Sequence, residues 1–211
     1  MNGRYPISEG SVQRTSRLRN LALAFTSFVL FGTAQAQLTG TKTIPGDYAT
    51  VALAVADLNG QGVGAGGVTF NVAAGHTETL AGKITMTATG TLADPIVFQK
   101  SGAGANPKLT SYTGTVATPA VTADGFWVLA GSDHVTIDGI DLEEAAANTT
   151  TTTVMEFGYG LFKASATNGC QDNTIRNCTI TLNRLQNTTW TAPGHNGSTG
   201  IAVLNGLYTA T

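Results

Sequence analysis

Charge is what this chain has least of. Of its 211 residues only 11% are charged, and the formal net charge is −2. That leaves no electrostatic footprint for nucleic acid, which needs Lys and Arg clustered on a face. Hydrophobic residues still make up 42%, so the composition is not that of a disordered chain, poor in apolar residues and rich in charge. The Ala, Glu, Lys, Leu and Arg bias of helical bundles is missing as well. Cysteine is scarce, with Cys170 and Cys178 alone. Several residues between them read as extended strand at about 3.3 Å per residue, whereas a disulfide needs Cα atoms within about 7 Å. Unless the chain folds back between them the two do not meet, and Cys178 is expected as a small buried core residue. Beyond the N-terminal region no apolar run approaches the roughly 20 residues of a membrane-spanning helix. What abounds instead is glycine, 26 residues, with Thr, Ala, Val and Asn in the second half, as in an all-β chain with many turns.

The N-terminus supplies an address. Arg14, Arg17 and Arg19 precede the apolar run "LALAFTSFVLFG", followed by small residues at Ala34 and Ala36. A basic region, a short apolar segment and small residues at the end form a secretory signal. The run is too short to span a bilayer. Residues 1–36 are therefore expected to be a signal peptide, and residues 37–211 the mature chain, secreted or on the outer cell surface. No membrane span is expected after cleavage, and the residue directly after Ala36 is Gln37, not a cysteine that could carry a lipid.

In the mature part "GDYATVALAVADLNGQG" sets Tyr48, Val51, Val55 and Leu58 at helical spacing. Asp47 or Thr50 is placed to cap the start, and Asn59-Gly60 to stop the helix. Then "GVTFNVAAG" alternates Val68, Phe70 and Val72 at strand period, and "KITMTATG" and "DPIVFQKSG" follow as short strands. No second helix is expected. "EEAAANTTTTTVMEF" is a threonine tract of low complexity, read as a surface excursion.

Two units now recur. "HVTIDGIDL" carries Val135, Ile137, Ile140 and Leu142, interrupted by Asp138-Gly139; "NTIRNCTITL" carries Ile175, Cys178, Ile180 and Leu182, interrupted by Arg176-Asn177. Glycine-headed apolar strands begin at Gly125, Gly160 and Gly200. Repetition at a near-constant interval is the signature of a solenoid. The two-residue step needs a residue tolerant of positive φ, and Gly139 and Asn177 occupy that slot. A β-sandwich of hairpins is the competing architecture, but Arg176 is ill suited to the first position of a tight hairpin turn. The fold class expected is an all-β, right-handed parallel β-helix (solenoid) with an N-terminal capping α-helix, incomplete at the C-terminus.

With "TIPGDYATVALAVADLN", "GVTFNVAAGHTE", "GTLADPIVFQKSG", "GSDHVTIDGIDL" and "NTIRNCTI" in view, the chain from Thr43 onward resembles the N-terminal part of pectin-lyase-like, right-handed parallel β-helix proteins, in particular large exported bacterial ones. The resemblance implies a helix capping one end of the stack. It implies no single activity, since the family spans polysaccharide lyases, glycoside hydrolases, epimerases and non-catalytic adhesins. Low charge on the repeats and the Thr-rich insertion favour an exported, non-catalytic protein, adhesin-like or a carbohydrate-binding scaffold, whose partner is a polysaccharide or cell-surface glycan. The alternative is a polysaccharide lyase or glycoside hydrolase with catalytic coils downstream of Thr211. On this reading the chain is a fragment lacking activity of its own, and its open C-terminal coil is expected to self-associate.

Candidate site residues are few. Asp133, Asp138, Asp141, Glu143 and Glu144 make an acidic stretch in which Asp138 and Asp141 face outward by alternation, and stacking sets Arg176 over Asp138. This arrangement reads either as a charged row on a binding face or as an ordinary solvent-facing pair worth about 0–1 kcal/mol. In "TWTAPGHNGSTG", Trp190 is a candidate for stacking on a sugar ring, and His195 for binding metal or moving a proton; a loop Trp folded against its own coil is the plainer reading. "GHN" departs from the Gly-His-Gly of polygalacturonase-like hydrolases, and no matching aspartate pair precedes it. His76 and His134 are isolated and read as surface residues. Lyases of the family hold Ca2+ on acidic residues, but no motif here supports Ca2+, and no cofactor is expected. Zinc spacing, a phosphate loop and a nucleophile elbow are all missing.

Overall fold

The structure, a computed structural model, describes residues 2–3, 36–115, 124–183 and 198–208. The chain divides into two units, Met1–Ala34 and Gln35–Thr211, and the architecture given below is that of the second. Nearly all of the expected signal peptide lies outside the described residues.

Strand β1 (Leu38–Ile44) leads into α1 (Val51–Gln61), the one helix among the described residues. Thr50 is the N-cap: its hydroxyl accepts the Leu53 N–H at 3.1 Å, satisfying a donor that the first helical turn leaves without a partner. Asp47, the other candidate, turns back instead, and its carboxylate receives the N–H and hydroxyl of Thr43 at 2.7 and 2.9 Å. The helix runs through Asn59-Gly60, where a stop was expected, and ends at Gly62. There φ is +74°, and the Gly62 N–H reaches the Leu58 carbonyl at 2.7 Å. Asn59 serves a different purpose: its amide bonds the Thr85 carbonyl and accepts from the N–H groups of Thr87 and Ala88, tying the end of the helix to the chain beyond it. Val51, Ala54, Val55 and Leu58 are buried, while Tyr48 precedes the helix and packs half-buried on the same core.

After the helix come β2 (Val63–Ala73), β3 (Thr77–Thr79), β4 (Ile84–Met86), β5 (Ile96–Ser101) and β6 (Lys108–Thr110). Then follow β7 (Gly125–Ala130), β8 (Val135–Asp138), β9 (Asp141–Glu143) and β10 (Phe157–Lys163). The series closes with β11 (Thr174–Arg176), β12 (Ile180–Thr181) and β13 (Thr199–Leu207). Among the described residues they form three separate sheets, ordered β1-β2-β5-β8-β11, β13-β10-β7-β4 and β12-β9-β6-β3. Every pairing between these strands is parallel.

This topology corrects the fold expectation. The chain was expected to be all-β, a right-handed parallel β-helix with an N-terminal capping helix and an incomplete C-terminal end; the structure shows three separate parallel sheets together with a helix, not one regular solenoid. Repeated alternation specifies which strands pair. It does not specify how distinct sheets are set relative to one another, and the connectors differ widely, from residues 80–83 between β3 and β4 to residues 111–124 between β6 and β7.

Two local expectations fare differently. At the step, Ile175 is in register with Ile137 and Arg176 with Asp138, and Gly139 and Asn177 both have positive φ, +71° and +56°. The glycine heads, however, do not stack. Gly125 is in register with Phe157, and Phe157 with Thr199, so Gly160 lies mid-strand opposite Val128. The reason is steric: a Cβ on Gly125 would come within 2.1 Å of the Phe157 ring, so the glycine makes room for the aromatic residue of the neighbouring strand.

The three sheets bury their apolar rows in one core that runs from Val51 and Phe70 through Phe98, Leu109, Trp127 and Ile137 to Tyr159. Aromatic rings form its spine. Phe70 stacks on Phe98 at 4.3 Å, Phe98 meets Trp127 edge-on at 5.1 Å, and Trp127 tilts over Tyr159 at 6.2 Å. The β7 strand is buried on both faces, and a second cluster of Val128, Ala130, Phe157, Phe162 and Ala202 covers its other side. Cys170 and Cys178 are both free thiols; Cys178 is half-buried against the core rather than fully inside it. The threonine tract is also corrected: it is not simply a surface excursion, because Glu144, Asn148 and the run 154–157 are buried.

Candidate functional site

The outer face of the five-stranded sheet is built by alternation. Phe70, Phe98, Ile137 and Ile175 point to the core, so the residues on either side of them point out. Register then lines up Thr43, Asn71, Gln99, Asp138 and Arg176 in one row, and Thr41, Thr69, Val97, Thr136 and Thr174 in a second. Neighbours in the first row bind each other: the Gln99 amide donates to Asn71 Oδ1 at 2.9 Å. Arg176 donates to Asp138 Oδ2 from Nε at 2.9 Å and from Nη2 at 2.8 Å.

Of the nominated residues, the structure brings Asp138, Asp141 and Arg176 into one network around the two-residue step. Asp138 accepts from Arg176 and, at 2.7 Å, from the Asn177 amide. The Asn177 hydrogen bond, then the Arg176 bond and charge, hold the Asp138 carboxyl below its usual range, against the opposing effect of burial. Asp141 accepts at 2.8 Å from both the Asn106 amide and the Thr179 N–H. Asn106 also donates to the Asn177 carbonyl at 2.9 Å, which closes the network across the step. Lys108 pairs with Glu143 on the adjoining sheet. Trp190 and His195 lie outside the described residues.

Chemically this arrangement is a row of oriented polar groups. A carboxyl held ionised, as Asp138 is, makes a poor general acid, since acid catalysis near neutrality needs a raised pKa. What the row does present is amide, hydroxyl, carboxylate and guanidinium groups, each already oriented by a neighbour and with Arg176 60% exposed at its end. Such groups suit the hydroxyls of a sugar. Among the described residues, a cleft of about 200 Å³ beside Leu161, Lys163 and Val203 and another of about 350 Å³ beside Ile180, Ser198 and Gly200 lie on the other sheets. Among the described residues no group of three or more His, Cys, Asp or Glu is placed to hold a metal ion, and no helix is long and apolar enough to cross a membrane.

Sequence reasoning missed Asn71 and Gln99, which become part of the row only through register. It also missed the carboxyls of Asp124 and Glu156, and it named Glu144 only as part of an acidic stretch without foreseeing its burial. Glu144 accepts the N–H groups of Met155 and Asn183 at 2.7 and 2.6 Å, Glu156 accepts the Asp124 N–H at 2.6 Å, and Asp124 accepts the Thr115 N–H at 2.8 Å. The available signal was the apolar pair Val154-Met155 inside the threonine tract. No family model, curated protein or solved structure matches the chain, so nothing identifies it as pectin-lyase-like.

Proposed function

We propose that the chain is an exported, non-catalytic scaffold that binds a polysaccharide or cell-surface glycan on the outer face of its five-stranded sheet. The observation that carries this reading is the in-register row Asn71, Gln99, Asp138 and Arg176, in which each strand contributes one polar group. Parallel strands lie about 4.8 Å apart, close to the advance of one sugar in an extended glycan. A chain laid across the strands would meet a fresh hydrogen-bonding group at each residue. The basic and apolar N-terminal segment supports export.

Affinity electrophoresis through gels containing neutral and uronate-rich polysaccharides tests the proposal. At least one polysaccharide should retard the protein, and Asn71→Ala combined with Gln99→Ala should abolish the retardation while lowering stability by no more than about 1 kcal/mol. No retardation in any gel overturns the proposal, and retardation unchanged in the double variant removes the row from it.

A further inference from the structure

We infer that Asp124 and Glu156 form a proton-dependent latch: a proton taken up by this buried pair relieves the charge held between the connectors of the second and third sheets, so that the junction is more stable when the medium turns acidic. Asp124 immediately precedes β7 and Glu156 immediately precedes β10. Because Gly125 and Phe157 are in register, the two acids sit side by side at the starts of adjacent strands. They are stitched together in both directions: the Asp124 N–H donates to Glu156 Oε2 at 2.6 Å, and the Glu156 N–H donates to the Asp124 carbonyl at 2.7 Å. The Asp124 carboxylate in turn accepts the Thr115 N–H at 2.8 Å and the Tyr112 hydroxyl at 3.4 Å. One pair of acids thus joins residues 111–115, which leave β6, to residues 144–156, which link β9 to β10. The residues are 4% and 7% exposed, and with so little water the Asp124 charge opposes the ionisation of Glu156.

Four further titratable groups lie on the segments around the pair. Lys83, just before β4, favours the charged form of Glu156. Tyr112 is raised by burial and then by the Asp124 charge, and is not a proton source near neutrality. Glu144, after β9, is pushed up by burial while it holds Met155 and Asn183. Tyr208 lies under Lys83, with the ammonium 5.1 Å from its ring centre. Burial first, and the Asp124 charge in support, push Glu156 up to about 7 from 4.5, against the pull of the Asp124 N–H. Between those values the folded chain holds a proton that the unfolded chain has released. The stabilisation is therefore full below about 4.5 and is lost as pH rises through about 7. The latch stands independently of the glycan reading.

Thermal unfolding of the full chain from pH about 5 to about 8 tests it. The melting temperature should fall as pH rises. Glu156→Gln keeps an acceptor for the Asp124 N–H but cannot titrate, and should flatten that dependence; Asp124→Asn should move its midpoint downward. A wild-type profile that is flat, or one that Glu156→Gln reproduces, overturns the inference. Should Glu156→Gln fail to fold, infrared spectra of the wild-type protein decide: a protonated-carboxyl band present under mildly acidic conditions and gone under mildly alkaline ones supports the latch, and its absence overturns it.

Discussion

Gly139 and Gly125 restrict what can replace them for different reasons. Gly139 has φ +71° and is buried at the step, where a Cβ would lie 3.3 Å from Lys100 Cβ and 3.4 Å from Asn106 Oδ1. Asn177 takes the same left-handed conformation on the next strand pair at φ +56°, so the position tolerates Asn but not a β-branched residue, which is strained there by about 1–2 kcal/mol. Gly139→Val should therefore melt well below Gly139→Asn, and equal melting temperatures would contradict the geometry. At Gly125 the obstacle is contact rather than φ. Gly125→Ala drives a methyl into the Phe157 ring, an overpacking expected to cost about 1–3 kcal/mol. Pairing it with Phe157→Leu should recover part of that loss; a double variant whose loss equals the sum of the two single losses would show that the ring is not the obstacle.

At the scale of elements, α1 is held by a strand. Glu78 sits on β3 at the position where the neighbouring strands place Leu109, Leu142 and Ile180, all on the core-facing row. Its carboxylate enters the helix N-terminus and accepts the Val51 N–H at 2.7 Å and the Ala52 N–H at 3.2 Å. Both donors would otherwise be short of partners, and the helix dipole favours a negative charge there. Glu78→Ala should cost about 1–3 kcal/mol, because it leaves buried donors unsatisfied. Amide exchange should quicken at Val51 and Ala52 while the β10 amides keep their protection relative to global unfolding. Uniform quickening would mean that the carboxylate supports the whole core rather than the helix.

Across the whole molecule the aromatic spine couples the sheets. Phe98 is fully buried and touches Phe70 of its own sheet and Trp127 of another. Phe98→Ala should cost about 3–5 kcal/mol. Since one core joins all three sheets, tryptophan fluorescence and far-ultraviolet dichroism should report a single unfolding transition in both proteins, shifted together in the variant. Separate transitions would show that the sheets unfold independently.

Much of this was readable in the chain itself, because it is local. Alternation at Val68, Phe70 and Val72 marks a strand; Thr50 before Val51 marks a helix start; and Gly139 and Asn177 mark steps that need positive φ. Each of these depends on a few adjacent residues and their own backbone preferences. The strand pairing of Ile137 with Ile175 was readable for a related reason, since a shared pattern sets a shared register. What the chain did not disclose depends on residues far apart in sequence. That the strands lie in three separate sheets, that Phe157 displaces the expected stacking of Gly125 on Gly160, and that Asn71 and Gln99 extend the row of Asp138 and Arg176 are all consequences of register between distant segments. Glu156 carries the same lesson into chemistry: after a run of threonines it reads as an ordinary acid, and only burial in the fold, with the Asp124 charge in support, pushes its carboxyl up.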